Sequence, residues 1–406
     1  MKKILNTAVG HLLFLSLMII VITLASCSNE DSGASPVITE VRNYAAAPND
    51  TIVDKLVPGQ WVVLKGSYLK NTVKISFNGV AADFDSGLFS DTYAVVQIPA
   101  VIPFPSVAEN ELNTIEVVNS NGSTVFEIVI VAGPPSLTGI SNENPIAGEE
   151  VTIQGTNLFL IKELYFAGTQ ITAYTGSDDG TAINFLMPAV TTTGPLKINT
   201  ASGVILTPFE VNNTSAGVIS NADAIFNWDY WGGAQVVKGE GNPDFPGGNA
   251  SNFFVMNFAS VSAGDGKPWS HALRIGQTQW VPSGNLSDPV ENWALKFEIN
   301  VPESWLGGSL MVATSTGNYL ARYEPWQGLA AGFKTTGWQT VTIPFAQFRG
   351  GGSGKGEMVK TINDLAGSNG ISSCQIYLHN YGTAPVAFKA AFDNIRVVKI
   401  IDKSIK

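Results

Sequence analysis

The stretch Pro58-Gly59-Gln60-Trp61-Val62-Val63-Leu64-Lys65-Gly66-Ser67-Tyr68-Leu69 decides the architecture, because the chain writes it twice. It returns as Ala147-Gly148-Glu149-Glu150-Val151-Thr152-Ile153-Gln154-Gly155-Thr156-Asn157-Leu158. Gly59, Gly66, Gly79 and Pro99 recur as Gly148, Gly155, Gly168 and Pro188, all displaced by 89 residues. A register kept at four positions marks a duplicated folding unit. Inside each copy, short runs rich in Val, Ile and Thr, such as Val151-Thr152-Ile153 and Thr114-Ile115-Glu116-Val117-Val118, end in turn pairs such as Asn121-Gly122 and Ser202-Gly203. That is strand-and-turn chemistry, so each copy reads as a small β-sandwich.

Working outward, 406 residues predict two to four domains. Gly 41 and Pro 21 beside only 14% charged residues favour all-β modules over helices or disorder. A formal net charge of −10 opposes a nucleic-acid partner, whose phosphates would call for Lys and Arg. After the second copy, Asn212-Asn213-Thr214-Ser215-Ala216-Gly217 is small and polar and reads as a linker. Beyond it the alternating runs Trp293–Ile299, Trp338–Ile343, Gln375–Leu378 and Ala391–Val398, separated by turn-rich loops, predict a jelly roll or related sandwich.

The N-terminus reads as an export signal, with Lys2 and Lys3 ahead of the apolar run Leu12 to Leu24. Its end, Leu24-Ala25-Ser26-Cys27, resembles a bacterial lipobox. The resemblance implies cleavage before Cys27 and lipidation of that residue, each buried methylene holding the chain to a membrane by about 0.8 kcal/mol. Glu30 and Asp31, just after it, resemble the surface-export signal of Bacteroides lipoproteins. Cys374 is then left without an intramolecular partner, and its alternating strand context makes it a small buried hydrophobe.

The pattern Pro-x-Ile-x-x-Val, then Pro-Gly-x-x-Val-x-Leu-x-Gly-x-x-Leu, then Ile-x-Phe-x-Gly resembles the immunoglobulin-like IPT/TIG module. The runs Gly337–Phe345 and Phe392–Val397 resemble strands of galactose-binding-type carbohydrate-binding modules. The expected fold class is therefore all-β: two tandem immunoglobulin-like (IPT/TIG) β-sandwiches followed by a jelly-roll sandwich like a carbohydrate-binding module. Its segments are a lipoprotein signal peptide at 1–26, a linker at 27–35, IPT/TIG domains at 36–132 and 133–211, a linker at 212–217, and a C-terminal glycan-binding domain at 218–402. This order of parts resembles the surface glycan-binding proteins, SGBP-B type, of Sus-like polysaccharide-utilisation systems in Bacteroidota. The resemblance implies a lipid-anchored protein facing outward from the outer membrane. Its IPT/TIG pair would be a stiff spacer that does not bind sugar. A polysaccharide would be held without cleavage, with a Sus-like transporter complex as a further partner.

Eight of nine tryptophans fall between Phe226 and Trp338. A flat ring can cover the apolar C–H face of a pyranose while polar neighbours take its hydroxyls. Trp231, Trp269, Trp280 and Trp326, each among Gly, Pro, Ser or Gln, are the expected sugar platforms, with Tyr323 beside Trp326. Trp293 and Trp338 lie in alternating runs and are expected in the core, Trp228 is favoured there by its alternation with Phe226, and Trp305 reads equally as core or surface. No catalytic residue, metal set or cofactor is expected. Asp229 and Asp393 are the carboxylates a structural calcium would use, and Glu324 is the best single candidate carboxylate for a glycosidase, the enzymatic alternative, with Asp229, Asp244 and Asp265 as loop carboxylates among which the sequence singles out no partner. A surface adhesin for a host protein is the other alternative. Gly350-Gly351-Gly352-Ser353-Gly354-Lys355-Gly356 lacks the first Gly and the Ser or Thr of a phosphate loop and reads as a flexible loop.

Overall fold

The computed structural model describes residues 33–400 except 230–231, 240–241, 246–250, 266–269 and 315–318. The chain divides into two compact units between Gly133 and Pro134. In the first, strands Val37–Asn43, Trp61–Ser67 and Tyr93–Gln97 form one antiparallel sheet. Val80–Ala81, Thr72–Phe77, Thr114–Asn119 and Gly122–Glu127 form the other. Alternation does the packing: Val62, Leu64, Ala94, Val96, Ile75, Phe77, Ile115 and Val117 are buried, whereas Val63, Lys65, Tyr93, Gln97 and Glu116 beside them are not. The loop from Val101 to Glu109, which has no counterpart in the second copy, is tied down by Ile102 and Phe104, both buried.

The second unit begins with the second copy. Ser136–Ile140, Glu150–Thr156, Ala182–Leu186 and Thr175–Gly176 make one sheet, and Thr169–Gln170, Ile161–Phe166, Gly194–Thr200 and Val204–Val211 the other. Val151, Ile153, Leu164, Phe166, Ile183 and Leu196 fill the space between. The repeated Gly66 and Gly155 have one cause. A Cβ on Gly66 would stand 1.7 Å from the Val37 carbonyl oxygen, and one on Gly155 2.0 Å from that of Ser136. In both copies the first strand crosses so closely, next to a register shift, that only glycine fits.

The C-terminal sandwich pairs a six-stranded sheet with a four-stranded one. The first contains Val218–Ser220, Gln235–Lys238, Asn252–Val261, Val386–Lys399, Trp293–Asn300 and Gln339–Pro344. The second contains Ala272–Gln279, Ile371–His379, Ser309–Thr314 and Leu320–Tyr323. Leu273, Ile275, Leu310, Val312, Cys374 and Ile376 of one sheet pack on Phe254, Leu295, Phe297, Phe392 and Ile395 of the other. The stretch read as a linker is tied by hydrogen bonds at both ends. Asn213 Oδ1 accepts from the amides of Ser215 and Ala216 at 3.0 and 2.8 Å, and Val397 N donates to Gly217 O at 2.8 Å.

The second copy also joins the C-terminal sandwich through a buried ion cluster. Glu143 contacts Lys296 Nζ at 2.5 Å and Arg396 Nη2 at 2.8 Å, and Arg396 Nη1 reaches Glu298 at 2.9 Å. Lys296 Nζ lies 3.6 Å from the centre of the Phe209 ring. Backbone bonds extend the seam, since Thr340 N donates to Ser141 O at 2.7 Å and Glu143 N to Thr340 Oγ1 at 2.8 Å. Two acids against two bases leave the cluster neutral. That balance is what allows four charges to be buried together, because an unpaired one would cost several kcal/mol.

Candidate functional site

Alternation along the four-stranded sheet of the C-terminal sandwich sends one set of side chains into the core and the other set outward. The register assembles the outward set in rows. Ser309 faces His379, Met311 lies between Arg322 and Tyr377 with Ala272 beyond, and Ala313 lies between Leu320 and Gln375 with Arg274 beyond. Met311, Leu320, Ala272 and Tyr377 are buried and form an apolar floor. The segment 350–356 folds over one side of it: Arg322 Nη1 donates to Ser353 O at 3.1 Å, and a Cβ on Gly354 would meet Leu320 Cδ1 at 2.5 Å. The glycine-rich stretch is thus a cover built for close approach.

At one end of this face polar groups converge. Arg322 Nη2 donates to Glu324 Oε1 at 2.5 Å and to Ser309 Oγ at 2.7 Å, Ser309 Oγ also bonds Glu324, and Gln327 Nε2 donates to Glu324 Oε2 at 2.7 Å. His379 stacks on Tyr381 with 3.7 Å between ring centres and 6° between planes, and the Arg322 guanidinium lies 4.5 Å from the Tyr381 ring centre. The turn that carries Tyr381 is held by Asn380, fully buried, whose Nδ2 donates to Val261 O and Ala384 O at 3.0 and 2.8 Å. At the other end Arg274 Nε pairs with Asp229 Oδ2 at 3.1 Å.

The electrostatics keep the carboxylate of this cluster charged. Burial, the largest influence, pushes the Glu324 carboxyl upward, but hydrogen bonds from Arg322 and Ser309 and the charges of Arg322 and Lys355 outweigh it and leave the group below the usual carboxylate range. A glycosidase acid needs the reverse, a raised value. Burial, helped by Arg322, holds His379 below its ordinary value and so neutral near pH 7. Burial alone pushes Tyr323 up to about 12. Asp229 is engaged by Arg274, and among the described residues no three His, Cys, Asp or Glu side chains come together as a metal set.

Of the expected platform residues, only Trp280, Trp326 and Tyr323 are among the described ones, and none of the three is exposed. Trp231 and Trp269 lie outside the described residues, as does Cys27. Trp280 corrects the expectation of an exposed ring: it is 2% exposed and packs 6.1 Å from Phe345, because its loop folds inward where Trp280 N donates to Gly370 O at 2.8 Å. Trp326 is half-buried, with Nε1 donating to Gly308 O at 2.8 Å. Tyr323 is half-buried and points to the core side, 6.1 Å from Trp305 and 6.4 Å from Phe333. Trp293, Trp305 and Trp338 are buried, and Trp228 is half-buried against Phe254. Arg322, Ser309, His379 and Tyr381 escaped the sequence reading. The signal was present in Leu320-Ala321-Arg322-Tyr323-Glu324, where period-two alternation puts Arg322 and Glu324 on the face opposite Tyr323.

Residues 212–399 match the model of the surface glycan-binding protein B xyloglucan binding domain. An IPT/TIG domain-containing protein of Bacteroides ovatus is 23% identical over 226 residues, 55% of this chain, and the chain spans 42% of that relative's length. The crystal structure of a surface glycan-binding protein, PbSGBP-B of Prevotella bryantii, aligns with a TM-score of 0.66 at 20% identity, covering 90% of this chain and 99% of that one. An SGBP-B from a complex xyloglucan utilization locus in Bacteroides uniformis aligns with a TM-score of 0.52 at 21% identity, covering 90% and 100%. The two alignments establish the shared fold, tandem immunoglobulin-like sandwiches before a larger sandwich. That architecture and the matched C-terminal domain together support a protein of the surface glycan-binding protein B type.

Proposed function

We propose that the protein captures a polysaccharide at the cell surface without cleaving it. The ligand lies across the outer face of the four-stranded C-terminal sheet. The match of residues 212–399 carries the ligand class and makes xyloglucan the first to test. The location rests on the cluster of Arg322, Glu324, Ser309, His379 and Tyr381, whose mutual bonds fix donors and acceptors before any ligand arrives. Trp231 and Trp269 complete the face as stacking rings. The chain segments that flank them support this, since Asp229 N donates to Arg274 O at 3.2 Å and Gly233 bridges Ala272 on the edge strand of that sheet. Trp326 and Tyr323 serve from behind, by packing the strand that carries Arg322. Lipidation at Cys27 holds the chain to the outer membrane, and a Sus-like transporter receives the glycan.

The test is calorimetric titration of the mature chain with xyloglucan and with mixed-linkage β-glucan, alongside an assay for released reducing ends. Binding without new reducing ends is expected. Replacing Arg322 by Ala should weaken binding about tenfold or more, in the range of other interface anchors. Unchanged affinity in that variant and in Trp231→Ala and Trp269→Ala would remove the site from this face.

A further inference from the structure

The first sandwich carries an aromatic face that its fold does not require. On the sheet of Val37–Asn43, Trp61–Ser67 and Tyr93–Gln97 the register sets the outward residues in three rows: Glu40, Lys65 and Tyr93; Arg42, Val63 and Val95; Tyr44, Trp61 and Gln97. Tyr44, Trp61 and Tyr93 are 56%, 43% and 43% exposed, and Trp61 is the one exposed tryptophan among the described residues. Tyr44 and Trp61 stand 6.0 Å apart with their planes at 42°, which forms an angled corner. Four residues of strand separate the Trp61 and Tyr93 rows, roughly 13 Å. The second copy is an internal control: in the same register it has Gln154 and Ala182 for Lys65 and Tyr93, Ser141, Thr152 and Asn184 for the middle row, and Glu150 and Leu186 for Trp61 and Gln97. It folds alike without a single ring there.

We propose that this face is a second glycan-contact site that takes an extended, uncharged polysaccharide across Tyr44, Trp61 and Tyr93. Its charges cancel locally: Arg42 Nε pairs with Glu40 at 2.6 Å and its Nη1 approaches Asp50, while Lys65 stands opposite Glu40. A charged partner therefore finds no complementary field. The rows cover roughly 10 by 13 Å, far below the ~800 Å² per partner of a stable protein interface, but enough for a sugar chain to lie on two aromatic stations with Gln97 and Lys65 as donors at the rim.

The proposal rests on the reading of the protein as a polysaccharide binder, and the experiment separates the two. Hydroxyl-radical footprinting of the full mature chain, read by mass spectrometry with and without xyloglucan, should show protection of Trp61 and Tyr93. The variant Trp61→Glu with Tyr93→Ala gives the first copy what the second carries, so it is compatible with the fold. Its retention by xyloglucan in affinity gels should fall about three- to tenfold through lost multivalency, with an unchanged melting temperature. If xyloglucan protects only C-terminal residues and the variant is retained like wild type, the second site is overturned and the functional reading stands. Protection that depends on protein concentration and not on glycan overturns it in favour of self-association. A chain that binds neither xyloglucan nor mixed-linkage β-glucan overturns both readings.

Discussion

The two copies of the repeated sandwich share their core positions and differ on one sheet face. In the first copy that face carries Tyr44, Trp61 and Tyr93 open to solvent. In the second it carries no aromatic ring, and it is the side from which Ser141 and Glu143 reach the C-terminal sandwich. In matched register Tyr44 corresponds to Glu143, one residue at a half-exposed aromatic corner and the other at the centre of a buried ion cluster. The duplication thus kept what a sandwich needs, the inward alternation and the glycine at the strand crossing. The outward residues were free to take separate tasks because a solvated sheet face places few demands on side-chain shape.

The largest expected effect tests whether the second copy is locked to its neighbour. Replacing Glu143 by Ala leaves Lys296 and Arg396 with Glu298 alone, and breaking a buried pair in this way costs about 3–5 kcal/mol. Urea unfolding of the full chain should show the loss and separate the second sandwich from the C-terminal one. A change below about 1 kcal/mol would mean that the seam is not held by this cluster.

Next in size is a test of what the copies share. Gly66→Ala and Gly155→Ala each drive a methyl group into a backbone oxygen at 2.0 Å or less, and each should cost about 1–3 kcal/mol as overpacking does. Similar losses in thermal unfolding sustain the equivalence of the two crossings. A large loss at one and none at the other breaks it.

The third separates the C-terminal sandwich from the first copy by pH. Burial raises Cys374 from 9.0 to about 12 and Tyr323 from 10.0 to about 12. The folded state keeps these protons while the unfolded chain releases them, so the stability they confer is complete below pH 9 and is lost as pH rises toward 12. Each group contributes about 1.4 kcal/mol per pH unit across its window. Thermal unfolding between pH 8 and 11 should show the C-terminal transition falling faster than that of the first sandwich. Parallel falls would contradict the burial of these two groups.

The smallest effect is the counterpart of the first. Tyr44→Ala should change stability by no more than about 0.5 kcal/mol, as expected for a surface position without a structural task. A loss comparable to that of Glu143→Ala would mean that the aromatic corner supports the fold.

Much of this was legible before any coordinates. The spacing of Gly59, Gly66, Gly79 and Pro99 announced the duplication, and alternation around Trp293 and Trp338 announced buried rings, since both signals are local. Trp280 misled because Pro282 beyond it marks a turn, and turn chemistry says where the chain bends but not toward which side the ring then points. The amino-acid sequence by itself determined the all-β class, the two equivalent sandwiches and the polar or apolar period of each strand, because those follow from residue type and spacing. Only the tertiary structure decided that Glu143 meets Arg396 across 253 residues, that Arg322, Ser309 and Tyr381 share one face, and that Trp61 stands open while Trp280 is closed. Those outcomes depend on which strands become neighbours and on what covers each face, and no local period encodes either.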